Sequence, residues 1–199
     1  MTDEKARVTA GRAPLAEYLI ASTRALNDSI EAFNDDRADR AVSLITAALR
    51  GNLPLLVCGN GGSAADAEHI TGELVGRFLK ERRAINAISL TSNAAVLTAW
   101  ANDYSFDDVF ARQVEAHGRP GAVLLAISTS GNSRNVVRAA EAAKRCGVSV
   151  VSLTGQGGGK LAALSDVLLD VPSDRTPLIQ QVHICLYHYI CERVEAEFN

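Results

Sequence analysis

Apolar positions recur at two different periods along this chain, and the change of period divides it. Leu15, Leu19, Ile20, Leu26, Ile30 and Phe33 are spaced as on one helix face, which predicts an amphipathic helix over residues 14–33. A second helix starts after Asp35 or Asp36 as cap, runs through Ala41, Leu44, Ile45 and Leu49, and stops at Gly51. From Leu53 onward the pattern becomes short apolar run, turn, helix, repeated. Strands are predicted at 53–58, 84–90, 122–127, 148–153 and 167–171. Between them fall helices at 64–79, 92–101, 106–117 and 133–146, a short helix at 159–164, and a closing helix at 176–198. Five apolar strands alternating with helices imply an α/β three-layer sandwich, a parallel sheet with helices on both faces. Crossovers are expected to be right-handed. The first two helices are expected to cover that sheet. If the first is apolar on two faces, it is instead a subunit interface.

Composition narrows the class without naming a chemistry. The 199 residues suggest one domain: a flexible lead over 1–12, a helical pair over 13–50 and a sheet–helix core over 51–199. Hydrophobic residues make up 47% and charged ones 22%, ordinary for a soluble globular chain. A net charge of -3 gives no basic footprint for nucleic acid. No apolar run approaches the ~18 residues of a membrane span, and the first dozen residues lack a signal-peptide core. Cys58, Cys146, Cys185 and Cys191 have no metal-binding or disulfide spacing and read as free thiols of a reducing cytoplasm.

Two turns carry candidate chemistry. Gly59-Asn60-Gly61-Gly62-Ser63-Ala64 follows a strand, opens a helix and fits G-x-G-x-x-A. A dinucleotide site also needs an acidic residue at the end of the next strand, and Ser89-Leu90-Thr91-Ser92 supplies none. Ser128-Thr129-Ser130-Gly131-Asn132-Ser133 likewise joins a strand to a helix. One hydroxyl suffices for a helix cap, so four around a helix N-terminus favour an anionic ligand such as phosphate. No G-K-[ST] is present for a nucleoside triphosphate, and no G-x-S-x-G for a nucleophile elbow.

Two helical segments add groups that titrate or bind metal. His69 and Glu73, at i and i+4, project from one face. On the closing helix lie Gln180, His183 and His188. Gln180 and His183 are the nearer pair, while Gln180 and His188 are two turns apart and can still meet on one ligand. Spacing does not choose between the two histidines.

The sequence resembles the phosphoheptose isomerase family of single-domain sugar isomerase (SIS) proteins, which have a flavodoxin-like fold. The resembling residues are CGNGGSAADAEH at 58–69, Gly72, Glu73, Gly76 and Arg77. They continue with Leu97, Thr98, Ala99, Ala101, Asn102, Asp103 and Tyr104, then AISTSGNS at 126–133, and end with Ile179, Gln180 and His188. The resemblance implies conversion of sedoheptulose 7-phosphate to D-glycero-D-manno-heptose 7-phosphate. It implies a zinc ion on His69, Glu73, Gln180 and His188, with Glu73 and His188 as the catalytic base and acid. The sugar would meet Asn60, Gly61, Gly62 and Ser63, together with Glu73, Gln180, Asn102 and Asp103. Ser128, Thr129, Ser130 and Ser133 would hold the phosphate. Arg77 would reach a neighbouring subunit's site in a homotetramer with active sites at its interfaces.

The chain departs from relatives in three places: no proline within 79–86, Trp100 in place of a smaller residue, and Thr176-Pro177 where some carry an acidic residue. Three rival functions are a non-catalytic SIS protein that binds a replication initiator, a sugar-phosphate sensor, and an isomerase of another sugar phosphate. The first two do without the acid/base pair, which this chain keeps.

Overall fold

The computed structural model describes residues 14–198; the lead expected at 1–12 lies outside them. Helices α1 (Pro14–Ala32) and α2 (Arg37–Arg50) precede β1 (Leu55–Cys58) and α3 (Gly62–Val75). Next come β2 (Ala87–Ser89), α4 (Ala94–Asp103), a 3-10 turn at Phe106–Asp108 and α5 (Val109–His117). Then follow β3 (Val123–Ser128), α6 (Arg134–Arg145), β4 (Ser149–Thr154), a 3-10 segment Gly159–Leu164 and β5 (Val167–Asp170). The chain closes with α7 (Thr176–Glu195) and a 3-10 turn at Ala196–Phe198.

The five strands form one parallel sheet in the order β2-β1-β3-β4-β5. Alternation along each strand divides the core in two. Leu55, Val57, Val123, Leu125, Val151 and Leu153 face α2, α3 and α7. Leu56, Cys58, Leu124, Ala126 and Val150 face α5 and α6. The strands therefore read as continuous apolar runs, as expected of a sheet covered on both faces.

Helix ends differ from the sequence expectation where side chains, near or distant in sequence, take over the backbone. The third helix stops at Val75, not 79. Gly76 donates to Gly72 O, and the next free amides, of Phe78, Leu79 and Lys80, donate to the Glu195 carboxylate at 2.8, 2.7 and 3.0 Å. The stretch 76–86 then runs without regular structure into a strand of three residues instead of seven. At the start of α2, Asp36 occupies the cap position without a side-chain cap, and Asp35 Oδ1 accepts from Arg37 N–H at 2.9 Å. The fourth helix is shifted to Ala94 because Asn93 Oδ1 accepts the Val96 N–H at 3.1 Å.

Candidate active site

The strand order reverses between β1 and β3. β1 leads outward to β2, whereas β3 leads through β4 to β5. In open parallel sheets the crevice beyond the carboxyl ends of two such strands is where ligands bind. Both motif turns open there: the glycine turn after β1 and the serine turn after β3. They are joined by a reciprocal amide pair. Asn60 Nδ2 donates to Asn135 Oδ1 at 2.8 Å, and Asn135 Nδ2 donates back to Asn60 Oδ1 at 2.9 Å.

The glycine turn is built for close approach. Gly61 has φ +56°, and a Cβ on Gly62 would collide with the Gln180 amide from α7. A Cβ on Gly59 would strike the Ser63 backbone at 2.5 Å. Ser63 is buried in the first turn of α3. In the serine turn, Ser128 Oγ donates to Ser133 Oγ at 3.0 Å, and the Asn132 N–H donates to Ser130 Oγ at 3.1 Å. The Ser133 side chain makes no cap hydrogen bond to α6. Thr129 accepts the Gly155 N–H through its carbonyl at 2.9 Å and is half-buried.

Along the seam between α3 and α7 the titratable groups converge. Gln180 meets Gly62 at one end and Tyr187 meets His69 further on, so the two helices run side by side in the same direction. His69 Nε2 lies 3.0 Å from Glu73 Oε1. Ligand atoms of His69, Glu73 and His188 all lie within 4.8 Å of one another, a set that can hold a metal ion. The fourth expected ligand, Gln180, has its amide against Gly62, about two helical turns from His69. His188 packs edge-on to His69 with ring centres 5.1 Å apart and stacks on Phe78 at 5.4 Å. Tyr187 O–H lies 3.0 Å from His69 Nδ1 and 3.5 Å from Asp66 Oδ1. Burial pushes the Asp66 carboxyl up from its usual range; burial and then the neighbouring Asp66 push the Tyr187 hydroxyl up.

The other histidine of α7 sits elsewhere. His183 is fully buried and donates Nε2–H to Thr154 O at 3.0 Å; burial pushes its pKa down to about 4. Cys58, at the end of β1, is buried with its thiol pushed up to about 12, so it offers no thiolate. Behind the seam, the buried Arg82 and Glu195 pair at 3.2 Å. Arg82 also donates to Glu73 O at 2.7 Å and Gly76 O at 2.8 Å, which fixes the end of α3.

Three of the singled-out residues lie at the periphery. Arg77 is exposed and pairs with Glu81 at 3.2 Å. Asn102 and Asp103 end α4, bonded to each other at 2.8 Å, on a helix that packs on α5 and the preceding 3-10 turn. Asn135, Tyr187 and Phe78 had not been singled out. Tyr187 carried a usable signal, since it follows Gln180 by seven residues and so shares its helix face.

The fold, the crevice at the strand reversal and the His/Glu cluster define a sugar-isomerase type of α/β protein, and residues 17–155 match the SIS domain family. The phosphoheptose isomerase of Rhodospirillum rubrum is 51% identical over 183 residues, covering 85% of this chain and 97% of that protein. Solved phosphoheptose isomerases from Neisseria gonorrhoeae and Francisella tularensis superpose with TM-scores of 0.86 and 0.88 at 43% and 35% identity. Each alignment covers 92% of this chain, and 97% and 96% of the respective structure. The chain belongs to the phosphoheptose isomerase family and is an isomerase.

Proposed function

We propose that this enzyme converts sedoheptulose 7-phosphate to D-glycero-D-manno-heptose 7-phosphate through an enediol. The observation that carries the proposal is the convergence of His69, Glu73 and His188 beside two ligand-competent turns at the strand reversal. Isomerisation takes a proton from C1, returns one at C2 and moves a hydroxyl proton from O1 to O2, with no net redox change. Glu73 is assigned the carbon-bound proton and His188 the oxygen-bound one.

Two imidazoles and a carboxylate are a donor set suited to zinc, and we assign His69, Glu73 and His188 as its ligands. Gln180, whose amide lies against Gly62, would have to turn toward the cluster to serve as the fourth. Zinc, when bound, supplies Lewis-acid polarisation of the C1 and C2 oxygens. Ser128, Thr129, Ser130 and Ser133, with the N-terminus of α6, are assigned to the phosphate. Asn60, Gly61, Gly62 and Ser63 are assigned to the sugar hydroxyls.

Asn102, Asp103 and Arg77 lie at the periphery of a single chain, which accords with sites completed across subunits. Exposed apolar faces support that reading. Leu15, Leu19 and Ile30 of α1 are 69%, 55% and 67% exposed, and the apolar helix α4 buries no residue. We assign a homotetramer, in which residues 13–199 act as one domain and α1 and α4 are covered by other subunits. Sedimentation at the mass of four 21.1 kDa chains would support it, and a monomer would refute it. No helix among the described residues is long and apolar enough to cross a membrane, and the four cysteines are free, in keeping with a cytoplasmic enzyme.

The direct test is incubation with sedoheptulose 7-phosphate, with and without chelator, followed by NMR. Product is expected with zinc and is lost on chelation. No product with zinc restored would overturn the assignment in favour of a non-catalytic binding protein.

A further inference from the structure

Tyr187 is 1% exposed, with its ring packed in the core and its hydroxyl aimed out of it at His69. The ring meets His69 edge-on at 5.4 Å and His188 edge-on at 4.8 Å. On the other side of the hydroxyl is Asp66, one turn before His69 on the same face of α3. Asp66 Oδ1 lies at the outer limit of a hydrogen bond from that hydroxyl, and Asp66 Oδ2 is buried without a partner. Among the described residues Asp66 makes no ion pair, and Tyr187 is the one hydrogen-bond partner of its carboxylate.

We propose that Tyr187, backed by Asp66, is a positioning residue for His69. Its hydroxyl holds Nδ1 and thereby presents the Nε2 lone pair to the ground between Glu73 and His188. The inference rests on the assignment of those three side chains as a metal site. An imidazole offers Nε2 as a ligand only when Nδ1 carries the proton. That proton needs an acceptor, which the Tyr187 oxygen supplies, and the tyrosine proton then needs one in turn, which Asp66 supplies. The chain runs His69 Nδ1–H to Tyr187 Oη, and Tyr187 O–H to Asp66 Oδ1. A ligating histidine held in this way through its other nitrogen has a fixed tautomer and ring orientation. The order of residues along α7 serves this arrangement: Tyr187 turns to His69 while His188, next in sequence, turns to the cluster itself.

The test is Tyr187→Phe, which keeps the ring and removes the hydroxyl. Zinc affinity is measured by competition with a chromophoric chelator, and the site is probed by the visible spectrum of the cobalt-loaded protein. The expected result is about a 10–100-fold loss of zinc affinity and an altered cobalt spectrum, with the melting temperature in chelator unchanged. Zinc affinity within twofold of the parent, with the parent's cobalt spectrum, would overturn the proposal and leave the hydroxyl a packing group. If Tyr187→Phe does not fold, Asp66→Ala removes the second acceptor without touching the core ring. Its expected loss is severalfold, and unchanged affinity there overturns the proposal equally. An unsubstituted protein that binds neither metal would remove the metal assignment itself. That result is distinct from one in which parent and variant bind alike.

Discussion

At the strand reversal, the turns after β1 and β3 meet through backbone and amide groups: positive-φ glycines, a buried serine and the Asn60–Asn135 pair. Along the α3–α7 seam, His69, Glu73 and His188 meet through side chains standing on two parallel helices. The first region is fixed by what cannot be placed there. A side chain on Gly62 would hit Gln180, and one on Gly131 would hit the Gly158 backbone. The second is fixed by what must be held: Arg82 on the Glu73 carbonyl, Phe78 on His188 and Tyr187 on His69. A rigid crevice suits a constant ligand group such as phosphate, while a seam of side chains suits groups that exchange protons. The two regions should therefore fail independently.

The largest expected effect is on the seam. Glu73→Gln keeps the shape and removes the base, so turnover of sedoheptulose 7-phosphate should fall about 10²–10⁴-fold. The crevice should survive, so the melting temperature in chelator should change little, while zinc, which loses a carboxylate ligand, should bind more weakly. Near-normal turnover in a folded Glu73→Gln protein would remove Glu73 from the proton transfer and end the division of labour drawn above.

Next comes the support behind the seam. Burial pulls the Glu195 carboxyl upward, but the three amides of 78–80 and Arg82 hold it below its ordinary value of 4.5. Glu195→Gln leaves the Arg82 charge buried opposite a neutral amide. Removing one partner of such a pair costs about 3 kcal/mol or more. In a chain of this size that is a fall of roughly 6–12 °C in melting temperature. The pH dependence has a definite sign. Because the folded-state value is depressed, the carboxylate's contribution is complete above the unfolded value and is lost as pH falls through the folded one. The gap between parent and variant should therefore be widest near neutrality and close in acid. A gap that stays constant down to pH 3 would show that the charge of Glu195 is not what stabilises the segment 76–83.

The contrast also explains how much could be read from the chain. The sheet was legible because strands covered on both faces are continuous apolar runs, and the crevice because glycine and serine turns follow two of them. His69 and Glu73 were legible as an i, i+4 pair. The end of α3 was misplaced by four residues because its stop depends on Glu195, which lies more than a hundred residues away in sequence. The choice between His183 and His188 was illegible from spacing because each lies within reach of Gln180 along α7. His183 falls in the buried stripe of the helix, where it meets Thr154 O, whereas His188, five residues on, is half-buried at the edge of that stripe and packs against His69. Periodicity identifies the buried stripe but does not say that the chemistry sits at its edge.

The smallest expected effect tests whether the two regions are separable at all. Asn135 is 3% exposed, and its amide both gives to and takes from Asn60 across the two turns. Asn135→Ala leaves the Asn60 amide without this partner, at a cost of about 1–2 kcal/mol. If Asn60 and the serine turn bind the sugar phosphate, loosening their link should raise KM severalfold. Neither Glu73 nor His188 is touched, so kcat at saturating substrate and zinc affinity should stay at the parent values. A fall in kcat together with weaker zinc binding would show that the crevice positions the seam, and the two would have to be treated as one unit.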